Sequence, residues 1–210
     1  MFPLRCLCFL TLASALSAQG WEYGMTVGRQ TFGSLSASDG MPGYAPSGSV
    51  AGTTVVSARL AWTILDTDGG ELQVACAFQP TTTATARFSV QPTTAPGLPR
   101  IDSGPLNYRC GYHALGVSYR TPGRVRAGVG LDLRFQRVDL PASAANAAET
   151  ATTAVPWIRG GLYLPARAGW IRPIVGVEAG LALLTTSDAA HPAGSLRPRS
   201  EVALYAGARF

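Results

Sequence analysis

Residues 125–135 read VRAGVGLDLRF. Val125, Ala127, Val129, Leu131, Leu133 and Phe135 fall on one side of an extended chain, and Arg126, Gly128, Gly130, Asp132 and Arg134 on the other. A period of two over that length predicts a β-strand with one apolar face, because successive side chains of a strand point to opposite faces. The opposite face mixes full charges with glycine. Which face is the inside therefore decides the fold.

The pattern recurs along the chain. Trp21, Tyr23, Met25 and Val27 alternate with Glu22, Gly24, Thr26 and Gly28, and Val56, Ala58, Leu60, Trp62 and Ile64 with Ser57, Arg59, Ala61 and Thr63. Leu72, Val74, Cys76 and Phe78 alternate with Glu71, Gln73, Ala75 and Ala77. Next come Leu115, Val117 and Tyr119, where the parity before His113 is open and a bulge is one resolution. Ile158, Gly160, Leu162 and Leu164 follow, then Ile171 to Leu181, and the terminal EVALYAGARF supplies an eighth strand. Pro173 cannot donate to a sheet ladder, so it is expected close to a strand start.

The connections alternate in length. Short turns are expected at 66–70 (DTDGG), 121–124 (TPGR) and 165–169 (PARAG), and long Ser-, Thr-, Ala-, Pro- and Gly-rich ones at about 33–52, 80–107, 139–153 and 185–200. In an up-and-down sheet this gathers the short turns at one end and the long loops at the other, as in outer-membrane barrels.

Residues 1–18 read as a secretory signal: Arg5, an apolar run at Cys6–Leu12, then small residues to Ala18. Cys6 and Cys8 precede the apolar run instead of following it, which argues against lipid attachment. After residue 18 no apolar stretch reaches the roughly 18 residues of a membrane helix. An exported chain without a helical anchor is either a soluble domain or a closed barrel. The net charge is +5 and every basic residue is arginine, but the arginines are scattered singly, so no nucleic-acid partner is expected.

The composition of the polar face chooses between those two. Its glycines (Gly24, Gly28, Gly116, Gly128, Gly130, Gly161, Gly176, Gly180, Gly207) leave room between large charged residues, as a narrow interior filled by side chains requires. The acids Glu22, Glu71, Asp132, Glu178 and Glu201 nearly balance the arginines Arg59, Arg126, Arg134, Arg159, Arg172 and Arg209. Buried charges must pair, and the guanidinium fork suits carboxylates. The opposite register would place Arg126 and Arg134 in lipid, at roughly 2–4 kcal/mol each near the bilayer midplane. Aromatics gather toward the strand ends, with Trp21, Tyr23, Trp62, Tyr119, Trp170 and Phe210 near the short turns and Phe32, Phe78, Tyr108 and Phe135 near the long loops. Two interfacial girdles would be arranged so. The fold class expected is all-β: an eight-stranded antiparallel up-and-down transmembrane β-barrel over residues 19–210.

On these features the chain resembles the small eight-stranded outer-membrane barrels of Gram-negative bacteria, of the OmpA-barrel, OmpX and OmpW kind. In that family the last strand commonly ends in phenylalanine with apolar residues at alternate positions, which Val202, Leu204, Ala206, Ala208 and Phe210 match. Ala208 stands where the family often has tyrosine. The resemblance implies that the barrel-assembly machinery reads this strand and that outer-membrane lipid surrounds the protein; with the sequence stopping at Phe210, no appended peptidoglycan-binding domain is expected. A monomer is expected, with a structural, adhesive or surface-interaction role through its long loops and an interior that makes it no general porin.

Catalytic groupings are thin. His113 and His191 are too few for a histidine metal cluster, and no cofactor is expected. Lipid A deacylases of this architecture place His and Ser two apart on one strand face, whereas Leu115 lies two after His113, so no enzyme activity is expected. Other readings are a narrow conduit for hydrophobic solutes, a lipid A-modifying enzyme, and a soluble lipocalin-like carrier. Cys76 and Cys110 flank the second long connection. Paired strands would let them form a disulfide, unless unbroken parity through His113 turns them to opposite faces.

Overall fold

The computed structural model describes residues 20–33, 44–92, 97, 99, 101–142, 148–166, 170–183 and 196–210. The signal segment, His191 and most of the last long connection lie outside them. The strands are β1 (Trp21–Phe32), β2 (Tyr44–Val50), β3 (Thr53–Thr67), β4 (Gly70–Pro92), β5 (Ile101–Arg120), β6 (Arg126–Leu140), β7 (Glu149–Pro165), β8 (Arg172–Ala182) and β9 (Pro198–Arg209). All pairings are antiparallel. The order β4-β3-β1-β9-β8-β7-β6-β5 is closed by β4 against β5, giving an eight-stranded up-and-down barrel. β2 pairs with the far half of β4 and so prolongs the β3 stave past Ala51 and Gly52.

The terminal strand is not an edge. β9 lies between β1 and β8, from Glu22 opposite Arg209 to Thr31 opposite Ser200. The Gly20 N–H donates to the Phe210 carbonyl at 3.1 Å, and the Phe210 N–H to the Trp21 carbonyl at 3.0 Å. The short turns depend on glycine where the backbone turns left-handed, at Gly70 (φ 140°) and Gly123 (φ 113°). Pro173 is the second residue of β8, where its missing donor costs least.

The staves differ greatly in length. β4 has 23 residues and β5 has 20, whereas β1, β8 and β9 have 12, 11 and 12. The wall is therefore tall on the β4–β5 side and low on the β8–β9–β1 side.

Polarity is reversed relative to a soluble domain. Leu204 (66% exposed), Leu115 (61%), Leu181 (58%) and Leu131 (54%) line the outer surface, while Glu22 (1%), Arg120 (2%), Arg134 (3%) and Arg159 (4%) fill the inside. Toward the long-loop end the interior turns apolar. There Ala84, Ala86, Tyr108, Cys110, Val138, Leu140 and Leu196 form a packed cluster, with Phe32 and Val50 against it.

One bulge sets the parity on the tall side. Gln79 pairs with Tyr112 but Thr82 pairs with Cys110, so Pro80 and Thr81 face Gly111 alone. Even-numbered residues of β5 point inward from Tyr108 to Arg120, while β4 switches from odd (Glu71 to Gln79) to even (Ala84, Ala86). The irregularity open near His113 thus lies in the partner strand. It also decides the cysteines. Cys76 is exposed on the outer face opposite Leu115, and Cys110 is buried inside; both are free thiols. The Cys76–Cys110 disulfide is therefore corrected: the two side chains stand on opposite sides of the wall.

Candidate functional site: the charged interior and the apolar belt

The interior side chains form linked clusters that follow one another from the short-turn end. In the first, Glu71 accepts from Arg126 and, at 2.6 Å, from Arg209, which also reaches Asp66 at 3.3 Å. In the second, Arg120 grips Glu22 with both Nη atoms, at 2.7 and 2.8 Å, and the Tyr205 hydroxyl and Gln73 amide donate to the same carboxylate. The third centres on Glu178, which accepts both Nη atoms of Arg59 at 2.7 and 2.6 Å, Arg159 at 3.2 Å and the Tyr163 hydroxyl at 2.6 Å. Arg159 continues to Asp132 at 3.1 and 3.3 Å. In the fourth, Arg134 donates to Glu201 at 2.7 Å, Gln30 donates to Glu201 at 3.2 Å, and Gln30 donates to Gln79 at 2.6 Å.

Aromatic rings complete the filling. The Arg134 guanidinium lies between Trp157 and Tyr112, 3.9 and 4.4 Å from their ring centres, and Arg120 lies 4.1 Å from that of Tyr163. Such stacking lets a charge sit in a dry site without losing all favourable contact. The glycines are seats for the rings. A Cβ on Gly24 or Gly207 would run into Tyr205, and one on Gly128, Gly161 or Gly176 into Tyr163. Between the third and fourth clusters a void of about 10 Å³ remains, bordered by Thr26, Ser57, Arg59, Tyr112 and Arg134. That is about the room one water needs.

Of the charged residues singled out in the sequence, Glu22, Arg59, Glu71, Arg126, Asp132, Arg134, Arg159, Glu178, Glu201 and Arg209 all take part in these pairs. Arg172 does not join them. It opens β8 at the short-turn rim and is exposed, so it is corrected from a network member to a rim residue. Arg120, among the most deeply buried of the arginines, was hidden by its place next to the TPGR turn, although extending the parity of Ala114, Gly116 and Ser118 reaches it. The hydroxyls of Tyr163 and Tyr205 were also missed as partners.

On the outside, Val202, Leu204 and Ala206 are exposed, while Ala208 and Phe210 at the rim are half-buried. Phe210 meets Tyr23 edge-on at 5.8 Å and Trp170 at 5.6 Å, and Trp21 stacks on Trp62 at 6.1 Å. At the other end Phe78 and Phe135 face outward with His113, which stands 5.0 Å from Phe78. Phe32 and Tyr108 instead turn inward, and the Tyr108 hydroxyl donates to the Leu196 carbonyl at 3.0 Å.

No family model matches the chain, and no curated protein matches it. A solved structure of the beta domain of the Bordetella autotransporter Brka aligns with 92% of this chain and 99% of that one, at 13% identity and a TM-score of 0.32. A likeness that low carries no argument. The likeness to OmpA-, OmpX- and OmpW-type proteins likewise stands at the level of architecture, an eight-stranded closed antiparallel barrel.

Proposed function

We propose that this protein is an integral β-barrel of a bacterial outer membrane whose interior is plugged and whose role is structural or surface-interacting. The reversal of polarity carries the reading. A wall bearing exposed Met25, Val27, Leu115, Val129, Leu131, Leu162, Val177 and Leu204 around a core of paired arginines and carboxylates suits hydrocarbon outside, not water. The soluble carrier reading would need the opposite arrangement. The linked ion pairs and the packed cluster at the long-loop mouth support a plug, so bulk solute flow is not its task.

In this reading lipid surrounds the belt, the barrel-assembly machinery engages β9 through Val202, Leu204, Ala206, Ala208 and Phe210, and the barrel works as a monomer. No catalytic role is assigned. His113 faces outward between Phe78 and Phe135, which offer it neither a proton partner nor a nucleophile. The test is an SDS gel of outer-membrane fractions with and without boiling. A heat-dependent mobility shift is expected; extraction without detergent and a single unshifted band would overturn the reading.

A further inference from the structure

Above the apolar belt the outer wall changes character on the tall side. Outward positions run Leu115, His113, Gly111, Arg109 along β5 and Leu133, Phe135, Arg137, Asp139 along β6. Pairing sets Phe135 against His113, Arg137 against Gly111 and Asp139 against Arg109. The two arginines thus lie diagonally across adjacent strands, and Gly111 puts no side chain between them. Both are exposed, the Arg137 side chain at 58%.

Arg137 is fixed in place. Its Nε donates to both oxygens of Asp139, at 2.9 and 3.1 Å, and the Thr150 hydroxyl donates to the same carboxylate at 2.9 Å. These contacts use Nε, so the two Nη groups of Arg137 remain as donors. Thr83 beside Arg109 and Thr152 beside Arg137 add hydroxyls. Against two arginines the patch carries one acid, Asp139, so it is net positive.

Its height identifies the occupant. The ring of His113 with Phe78 and Phe135 marks the edge of the belt. One outward step along β6 reaches Arg137, roughly 7 Å farther, where headgroups replace acyl chains. We propose that Arg109 and Arg137 form a clip for the phosphate of a lipid headgroup in the leaflet at the long-loop end, with Thr83 and Thr152 as auxiliary donors. Guanidinium forks suit phosphate oxygens because they give two parallel, charge-assisted bonds. The proposal rests on the membrane reading above.

The test uses the full barrel refolded in zwitterionic lipid nanodiscs and native mass spectrometry. Wild type is offered a phosphorylated glycolipid and its dephosphorylated form, beside Arg109→Gln/Arg137→Gln and, as a control at the opposite end, Arg124→Gln. Wild type and Arg124→Gln should retain the phosphorylated lipid about tenfold better than the other, and the double variant should lose that preference. Equal preference in the double variant, or equal loss in Arg124→Gln, would overturn the clip. Displacement of the lipid by millimolar inorganic phosphate would also overturn it, by assigning the site to a free anion. The heat-dependent gel shift is read on the same samples: its absence in wild type defeats the membrane reading, while its presence in the double variant shows that lost lipid is not lost fold.

Discussion

At the level of single residues the interior is governed by the cost of an unpartnered charge. Arg120→Met would leave Glu22 buried with only Tyr205 and Gln73 as donors. Removing one partner of a buried pair costs about 3–5 kcal/mol, whereas replacing both with apolar groups of similar size is often neutral. Arg120→Met should therefore lower the urea midpoint in detergent micelles sharply, and Glu22→Leu/Arg120→Met should recover most of the loss. Additive losses in the double variant would show that the pair acts through something other than charge compensation. The glycine seats give a second expectation. Gly24→Val drives a side chain into the Tyr205 ring and should cost about 1–3 kcal/mol by overpacking. Tyr205→Ala in the same chain should relieve part of that cost, measured by the same unfolding curve.

Among elements, the bulge at Pro80–Thr81 carries the most information per residue. Deleting Thr81 would leave Pro80 alone against Gly111 and Thr82 still against Cys110, so the strand would lose its bulge with Ala84 and Ala86 still inward and Thr83 and Thr85 still outward. In a background with Cys76→Ser and Cys110→Ser, a cysteine placed at 84 should stay protected from an impermeant maleimide after the deletion and one at 83 should stay reactive; an exchange of the two would show that the whole strand slips instead of losing its bulge. The native cysteines make a related expectation. Gel mobility should be the same with and without reductant, and a lipid-soluble maleimide should label Cys76 but not Cys110. The strands were legible in the sequence because alternation is the same signal whichever face is buried, as in VRAGVGLDLRF. The charged interior was legible because Arg126, Asp132 and Arg134 share one parity and Val125, Val129, Leu131 and Leu133 the other. The place of the bulge was not, since PTTTATA holds only small residues and no large apolar or charged side chain marks a parity. Phe32 and Tyr108 were read as girdle residues for a similar reason: their burial is made by Leu196, 88 residues from Tyr108, which only the closed fold brings near.

For the whole molecule, closure ties the termini of the barrel to each other through β1 and β9. Deleting Phe210 removes the Gly20–Phe210 and Phe210–Trp21 backbone bonds along with the Tyr23 and Trp170 ring contacts. The heat-shifted fraction in membranes should fall severalfold, and normal assembly without Phe210 would discard its role in biogenesis. Unequal walls have a further consequence. At about 3.3 Å per residue, the 23 residues of β4 extend about 75 Å, well beyond the 9–11 residues that cross a bilayer. With β8 and β9 ending far lower, the described strands give the barrel a front and a back. In the membrane reading proposed above, the far halves of β4 and β5 would stand clear of the bilayer on one side of the barrel, an asymmetry set by a difference in stave length.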